Sequence, residues 1–351
     1  MVSTIENKIN DKSIDSTHTT PDSVSIQKLF REMVDEGCKF CFIEASSHAI
    51  DQNRLAGTKL AGAVFTNITH DHLDYHETFD NYLCAKKKLF DQLQSNSFAL
   101  INADDDHFED LVSDCNASII SYGINSQADE KARVVENQLQ GLHLRINGQD
   151  LYSRLVGDFN ASNLLGVYCV TKSLGFDSLA TLTSMSLLTP PPGRFEIVES
   201  PKGITAIVDY AHTPDALENV LKTIGSFNSG GERIITVVGC GGDRDRSKRP
   251  LMAKVAASAS DHVFFTSDNP RSENPDSIIA DMQAGLDPID KRKCIAISDR
   301  REAIRAAAAF AEEGDIVLVA GKGHETYQEI GYIKHDFDDR LVLREAFNPT
   351  N

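Results

Sequence analysis

Three His and two Asp fall within the seven residues from His70 to His76. Imidazole and carboxylate with no thiolate form a donor set that suits Mg2+ or Mn2+ better than structural zinc. The same loop could instead serve only to start the following helix. A short way on, Ala85-Lys86-Lys87-Lys88 sits in a helical stretch and by itself reads as a solvated basic face. The segment GCGGDRDRSKRP at 239–250 joins glycines, which let a backbone approach a ligand, to Arg244, Arg246, Lys248 and Arg249. In a chain with 35 Lys+Arg against 52 Asp+Glu, such a local excess of cations points to carboxylates or phosphates, which guanidinium groups grip in bidentate fashion. Asp268-Asn269-Pro270-Arg271 offers a second fork, or an ordinary turn. Gly321-Lys322-Gly323-His324-Glu325 lacks the spacing and trailing Ser/Thr of a P-loop, so alone it says little.

The elements that must carry these clusters show in the alternation of helix-period and strand-like runs. SVSIQKLFREMVDEG at 23–37 reads as a helix closed by Gly37, and CKFCFIEA at 38–45 as a buried strand. GAVFTNI at 62–68, the helix TFDNYLCAKKKLFDQL at 78–93 and SFALINA at 97–103 continue a βαβ rhythm, which implies a mostly parallel sheet with helices on both faces. Between 141 and 157, GLHLRINGQDLYSRLVG alternates around Asn147-Gly148, the signal of an antiparallel hairpin. Pro190-Pro191-Pro192-Gly193 cannot continue a helix and reads as a linker. Beyond it ITAIVDY, RIITVVG, HVFFTS, CIAIS and DIVLVAG restart the alternation. The expectation is therefore an α/β protein of two doubly wound domains, 1–189 and 190–351, with ligands beyond the carboxyl ends of the strands. Nearly every polar cluster above lies at such an end.

A formal charge of −17 over 351 residues argues against general binding to nucleic acid or to an anionic membrane, which need a basic footprint. No apolar run approaches the roughly 20 residues that span a bilayer, and no signal peptide follows Met1. Seven widely spread Cys read as reduced, buried thiols of a cytoplasmic protein, with the Cys38–Cys41 spacing assigned to strand packing.

Several longer strings recur in one order: TTPDS (19–23), EASSHAIDQNRLAG (44–57), FTNITHDHLDYH (65–76), YLCAK (82–86), GDFNASN (157–163) and PPGRFEIV (191–198). VDYAHTPDAL (208–217), GCGGDRDRSKRP, SDNPR (267–271) and AGKGHETYQ (320–328) complete the series. With these motifs the whole chain resembles the Mur ligase family, in particular its diaminopimelate-adding branch. The resemblance implies a central ATPase-type, mostly parallel sheet followed by a Rossmann-like ligase domain. It implies a cytoplasmic, monomeric, ATP- and Mg2+-dependent ligase of peptidoglycan precursor synthesis, joining meso-diaminopimelate to UDP-N-acetylmuramoyl-L-alanyl-D-glutamate through an acyl phosphate. By motif position, Thr19, Thr20, Ser46, Gln52 and Arg54 hold the UDP-muramoyl-dipeptide. Glu44 and His72 ligate metal, together with a carbamylated Lys86. Asn160, Arg194 and Asp209 contact ATP. Arg244, Asp268, Asn269, Pro270, Arg271, Gly321 and Glu325 form the diaminopimelate pocket.

The family pattern also places a uridine-nucleotide domain and a Gly-rich loop ending in Lys-Thr upstream of this match. No GxxxxGK[ST] occurs in the sequence, so the chain reads as N-terminally truncated, with little ATP turnover expected of it alone. The alternatives are a non-catalytic, Mur-ligase-like binding or regulatory protein, disfavoured by the retained His72, Lys86, Arg244 and Arg271, and a folylpolyglutamate synthase, disfavoured by DNPR together with GKGHE. Diaminopimelate carries a far carboxylate that an arginine suits. Arg271→Ala is therefore expected to lose diaminopimelate preference far more than ATP affinity, and an unchanged amino-acid preference in competition assays contradicts the assignment.

Overall fold

The computed structural model describes residues 1–16, 18–228 and 231–348. Its two six-stranded sheets are each covered by helices. The first runs Gly62–Phe65, Phe98–Asn102, Ser118–Gly123, Glu130–Gln138, Gly141–Ile146, Gln149–Ser153. Its first pairings are parallel and its last two antiparallel. The hairpin at Asn147-Gly148 forms as expected, with φ of 48° and 81°, the left-handed pair that a two-residue turn between twisted strands requires. Two apolar clusters contribute to its core, one around Leu100, Tyr122, Leu144 and Leu165, the other around Phe65, Phe90, Ile101 and Leu111.

The second sheet runs Cys294–Ala296, His262–Ser267, Ile234–Cys240, Ile316–Ala320, Thr205–Asp209 and Glu196–Val198, all parallel except the last pairing. Every residue of Ile234–Cys240 is buried, as a strand covered on both faces demands. Helices Pro214–Phe227 and Lys248–Ala259 contribute Leu217, Leu221, Ile224, Met252 and Ala256 to one core. Helices Arg300–Phe310 and Asp339–Phe347 contribute Ile304, Ala307, Leu343 and Phe347 to the other. Chain order reverses between Ile234–Cys240 and Ile316–Ala320, and such a switch point opens a crevice at the strands' carboxyl ends.

One expected strand does not form. Residues 38–45 are extended but pair only through a bridge between Val2 and Ile43. Backbone bonds from Val2 to Phe42 and from Glu44 to Val2 are its ladder. No other described strand lies beside it, so the ladder extends no further, and the Cys38 N–H and the Glu44 carbonyl pair instead with Met33 and the Thr20 hydroxyl. Phe40 and Phe42 are 48% and 55% exposed, facing an open, largely apolar groove of about 1020 Å3 that also receives Val64, Leu89 and Phe90. The expectation of buried thiols is corrected likewise: Cys41 and Cys84 are exposed and only Cys169 and Cys240 are buried, although all seven are free. No described helix is long and apolar enough to cross a membrane.

Beneath the carboxyl ends of the second sheet, Arg300 and Asp339 form an ion pair with no solvent exposure on either side chain. Arg300 Nε and Nη2 donate to the two carboxylate oxygens at 2.8 and 2.7 Å, and Nη2 also donates to the Ala320 carbonyl. This ties a strand end to the last helix. Arg300→Met leaves a buried carboxylate unpaired, so a loss of about 3–5 kcal/mol in urea unfolding is expected. Arg300→Met with Asp339→Leu is expected to recover most of it, and additive losses in the double variant contradict this account.

Candidate active site

In the N-terminal half, the residues expected around the dipeptide substrate converge. Thr20, 1% exposed, donates its hydroxyl to the Glu44 carbonyl at 2.6 Å and accepts the Ser46 backbone N–H at 3.0 Å. Ser46 in turn caps the short helix Ser47–Asp51 by accepting from Ala49. Arg54 Nη1 donates to the Thr20 carbonyl, while Nε and Nη2 fork onto Gln52 Oε1. Gln52 reaches Tyr75, whose hydroxyl donates to Asp51. Thr19 meets Thr4, whose hydroxyl and backbone N–H both donate to Glu44.

His72 stands beside this network, its ring centroid 4.9 Å from that of His48 and 6.0 Å from that of Tyr82. Its φ is +56°, a strained value for a non-glycine residue. Its side chain makes no helix-capping bond, so starting the helix is not its task. Burial holds the imidazole below its ordinary pKa, opposed by Asp71. The three lysines separate. Lys87 is paired to Asp91 and Asp114, and Lys88 to Asp51, as a solvated face requires. Lys86 is half-buried, 5.2 Å from the Tyr82 ring, and removal from water lowers its pKa, with Asp71 opposing. Glu44 and Lys86 line the same groove. No three described His, Cys, Asp or Glu side chains assemble into a metal-holding group. As an ammonium, Lys86 repels a cation, so with its charge in place it is not a metal ligand.

The second half gathers its strand-end residues more tightly. Lys322 is fully buried and donates to Asn269 Oδ1 at 3.0 Å and Glu325 Oε2 at 2.7 Å. Asn269 Nδ2 also reaches that Glu325 oxygen. Asp268 caps the Asn269 N–H, and a Cβ on Gly321 would meet its Oδ2 at 2.6 Å. Pro270 is buried, its carbonyl pressed against Gly242. A Cβ on Gly241 would lie 3.1 Å from Arg271 Nη1 and 3.8 Å from Arg244 Cγ, so glycine there keeps open the space that both arginines border. Arg244 itself is exposed, bonded only to the Asp243 carbonyl among the described residues.

The four cations of 239–250 do not act alike. Arg249 is spent on Glu273 and Asp281, and Arg246 on Glu273. Buried Arg249 braces the loop, whereas Arg246 pairs with Glu273 while 70% exposed.

Of the residues expected at ATP, Arg194 and Asp209 come together. Arg194 lies 4.6 Å over the Tyr210 ring. Asp209, buried at 6% exposure, accepts the backbone N–H groups of Phe195 and Ala211 at 2.7 and 2.8 Å. Burial raises its pKa, opposed by the Phe195 N–H and by Arg194. Asn160, on the helix Asp158–Ser173, is bonded to Val156 and Asn163 and makes no described bond to that pair.

In the sequence Asp71 counts only as one donor of the His70–His76 set, whereas in the fold it sits where the halves meet. His70 Nε2 is 2.9 Å from Asp245, and His212 Nε2 is 4.0 Å from Asp71. Burial would raise the Asp71 carboxyl, but His72, Lys248 and His212 outweigh it and hold it below the usual range. Lys322 was likewise visible only as part of GKGHE, and a buried lysine is not legible from its neighbours in the chain. Asp71 thus sits among cationic groups from both halves.

The profile of the Mur ligase middle domain matches residues 1–171, and that of the Mur ligase glutamate ligase domain matches 193–323. The UDP-N-acetylmuramoyl-L-alanyl-D-glutamate--2,6-diaminopimelate ligase of Bacteroides thetaiotaomicron is 52% identical over 99% of this chain and 72% of its own length. That of Cytophaga hutchinsonii is 51% identical over 99% and 71%. A solved structure of an enzyme with that name aligns over 96% of this chain and 70% of its own, with 38% identity and a TM-score of 0.62. Folylpolyglutamate synthase from Mycobacterium tuberculosis, 18% identical with a TM-score of 0.62 over 83% of this chain and 65% of its own, shares the fold. The chain belongs to the Mur ligase family of ATP-dependent ligases.

His324 provides a pH test of this arrangement. Its Nδ1 is buried without a hydrogen-bond partner among the described residues. Burial first, then Arg194, Arg340 and Lys322, push its pKa down from 6.5 to about 4. The unfolded chain therefore takes up the proton first, and stability present above pH 6.5 is lost as pH falls toward 4. His324→Gln is expected to flatten that part of the urea-midpoint profile; an unaltered slope contradicts it.

Proposed function

We propose that this chain carries the chemistry of meso-diaminopimelate addition to UDP-N-acetylmuramoyl-L-alanyl-D-glutamate in peptidoglycan precursor synthesis, in the cytoplasm. The observation that carries this reading is the convergence of Arg244 and Arg271 on the space beside Gly241, next to the Asn269–Glu325–Lys322 cluster. An amino acid with a carboxylate at its far end needs such cations, and lysine, which lacks that carboxylate, leaves them unpaired. The strong similarity to enzymes of that name over nearly the whole chain supports the same choice.

In this reading the D-glutamate side-chain carboxylate attacks the γ-phosphorus of ATP, giving an acyl phosphate and ADP. The diaminopimelate amine then attacks the acyl carbon, the C–N bond forms, phosphate leaves, and the ammonium proton is released. Thr20, Ser46, Gln52 and Arg54 orient the dipeptide substrate, and Arg194 and Asp209 orient the nucleotide. Asp268, Asn269, Arg271 and Glu325 present the amine. This is catalysis by placement and charge neutralisation. Glu44, His72 and a carbamylated Lys86 would hold Mg2+, which would screen the phosphate and carboxylate charges. Desolvation of Lys86 favours the neutral amine that reacts with CO2.

The test is phosphate release from ATP measured with each substrate omitted in turn. Release that requires both the UDP-muramoyl-dipeptide and meso-diaminopimelate, and falls at least about 100-fold with L-lysine as acceptor, supports the assignment. Binding of both substrates with no release favours a non-catalytic binding protein, and equal use of lysine rules out the proposed specificity.

A further inference from the structure

The hairpin Tyr327–Ile330 and Ile333–Asp336 follows the GKGHE loop and has no role in the reaction as described. It is not a free appendage. Its first strand lies alongside the Asp268–Arg271 segment and is bonded to it repeatedly. Gln328 Nε2 donates to the Asp268 carbonyl at 2.8 Å, and the Glu329 N–H donates to Asn269 Oδ1 at 2.9 Å. The Arg271 N–H donates to the Glu329 carbonyl and the Gly331 N–H to the Arg271 carbonyl, forming a parallel bridge. These bonds clamp Arg271 at a φ of +48°, a conformation that a residue with a Cβ holds only when its surroundings enforce it.

The side chain of Glu329 does something the backbone bonds do not. Its Oε2 accepts from Arg271 Nε at 3.1 Å, while Arg271 Nη1 donates to the Gly242 carbonyl at 2.8 Å. Acceptors on two different edges, Glu329 at Nε and the Gly242 carbonyl at Nη1 with a longer bond to the Asn269 carbonyl, fix both the position and the plane of the guanidinium. Nη2 has no protein partner among the described residues, so the fork keeps donors for a ligand carboxylate. Glu329 and Arg271 side chains are 26% and 21% exposed, which puts the pair at the wall of the pocket and not in the core.

Resting on the amino-acid-ligase reading above, we propose that Glu329 is a positioning residue for Arg271: its carboxylate sets the orientation in which that arginine distinguishes an amino acid bearing a far carboxylate from one without it. Glu329 does not touch the amino acid and acts only through Arg271. Without it the guanidinium keeps its charge but swings about Nη1, and a bidentate grip becomes a loose one. The loss therefore falls on the ligand with the far carboxylate and spares the one lacking it.

The experiment is calorimetric titration of the full chain with meso-diaminopimelate and, separately, L-lysine. Glu329→Ala is expected to weaken meso-diaminopimelate about tenfold while leaving L-lysine unchanged. Glu329→Gln retains an oxygen for Nε and is expected to restore most of the affinity, which a purely structural loss does not predict. In an Arg271→Ala background, Glu329→Ala is expected to cost nothing further. Wild-type affinity for meso-diaminopimelate in Glu329→Ala overturns the proposal, as does a parallel loss of both ligands or an additive loss in the double variant. No binding of meso-diaminopimelate by the wild-type chain overturns the amino-acid-ligase reading itself, and this inference with it.

Discussion

The ammonium of Lys322 has no access to water, and the oxygens of Asn269 and Glu325 are what replace its hydration. A buried cation tolerates little slack, because each hydrogen bond it fails to make leaves an uncompensated charge in a medium that screens poorly. Asn269 and Glu325 are therefore held to the positions that Lys322 dictates. Both belong to the expected amino-acid pocket. The loops after His262–Ser267 and Ile316–Ala320 are thus joined by electrostatic necessity, while Arg300 and Asp339 brace the same strand ends from below.

From that fixed point the rest of the cleft can be traced. Asn269 also receives the N–H of Glu329 and offers its carbonyl to Gly242, which places the glycine-rich loop. Glu273 pins the same loop through Arg249 and the Asp243 N–H. Opposite, Asp71 with Lys86, Lys248, His72 and His212 around it joins the two halves. A formal charge of −17 is consequently a poor guide to local potential. The exposed surface is acidic, whereas the cleft keeps Arg194, Arg244 and Arg271 for anionic ligands.

Part of the backbone strain falls on the same map, although Asn10, Glu77 and the hairpin residue Asn147 also have positive φ. His72, Phe195, Asp243 and Arg271 all have positive φ, and each adjoins or belongs to a site residue. Gly193 is so close to Gly323 and His324 that a Cβ would fall 2.0 Å from their backbone atoms, locking the start of the second half onto the GKGHE loop. Such conformations persist where surrounding contacts over-determine them.

How much was legible in the sequence depends on how local the physics is. The apolar strands, the Asn147-Gly148 hairpin and the polar clusters at strand ends were readable, because periodicity and turn chemistry act within a few residues. Residues 38–45 misled for the same reason: their composition suits a strand, but a strand needs neighbours, and the described chain supplies only Val2. Arg246 and Arg249 looked like ligand-binding cations, and only the fold brought Glu273 and Asp281 to neutralise them. Lys322 as a pocket organiser, Glu329 behind Arg271 and Asp71 among cations from both halves depend on contacts between distant segments. Residue types and their order along the chain determined the family and the candidate set. Only tertiary structure decided which charges are spent on one another and which are left for substrate, because desolvation and pairing act through space, not along sequence.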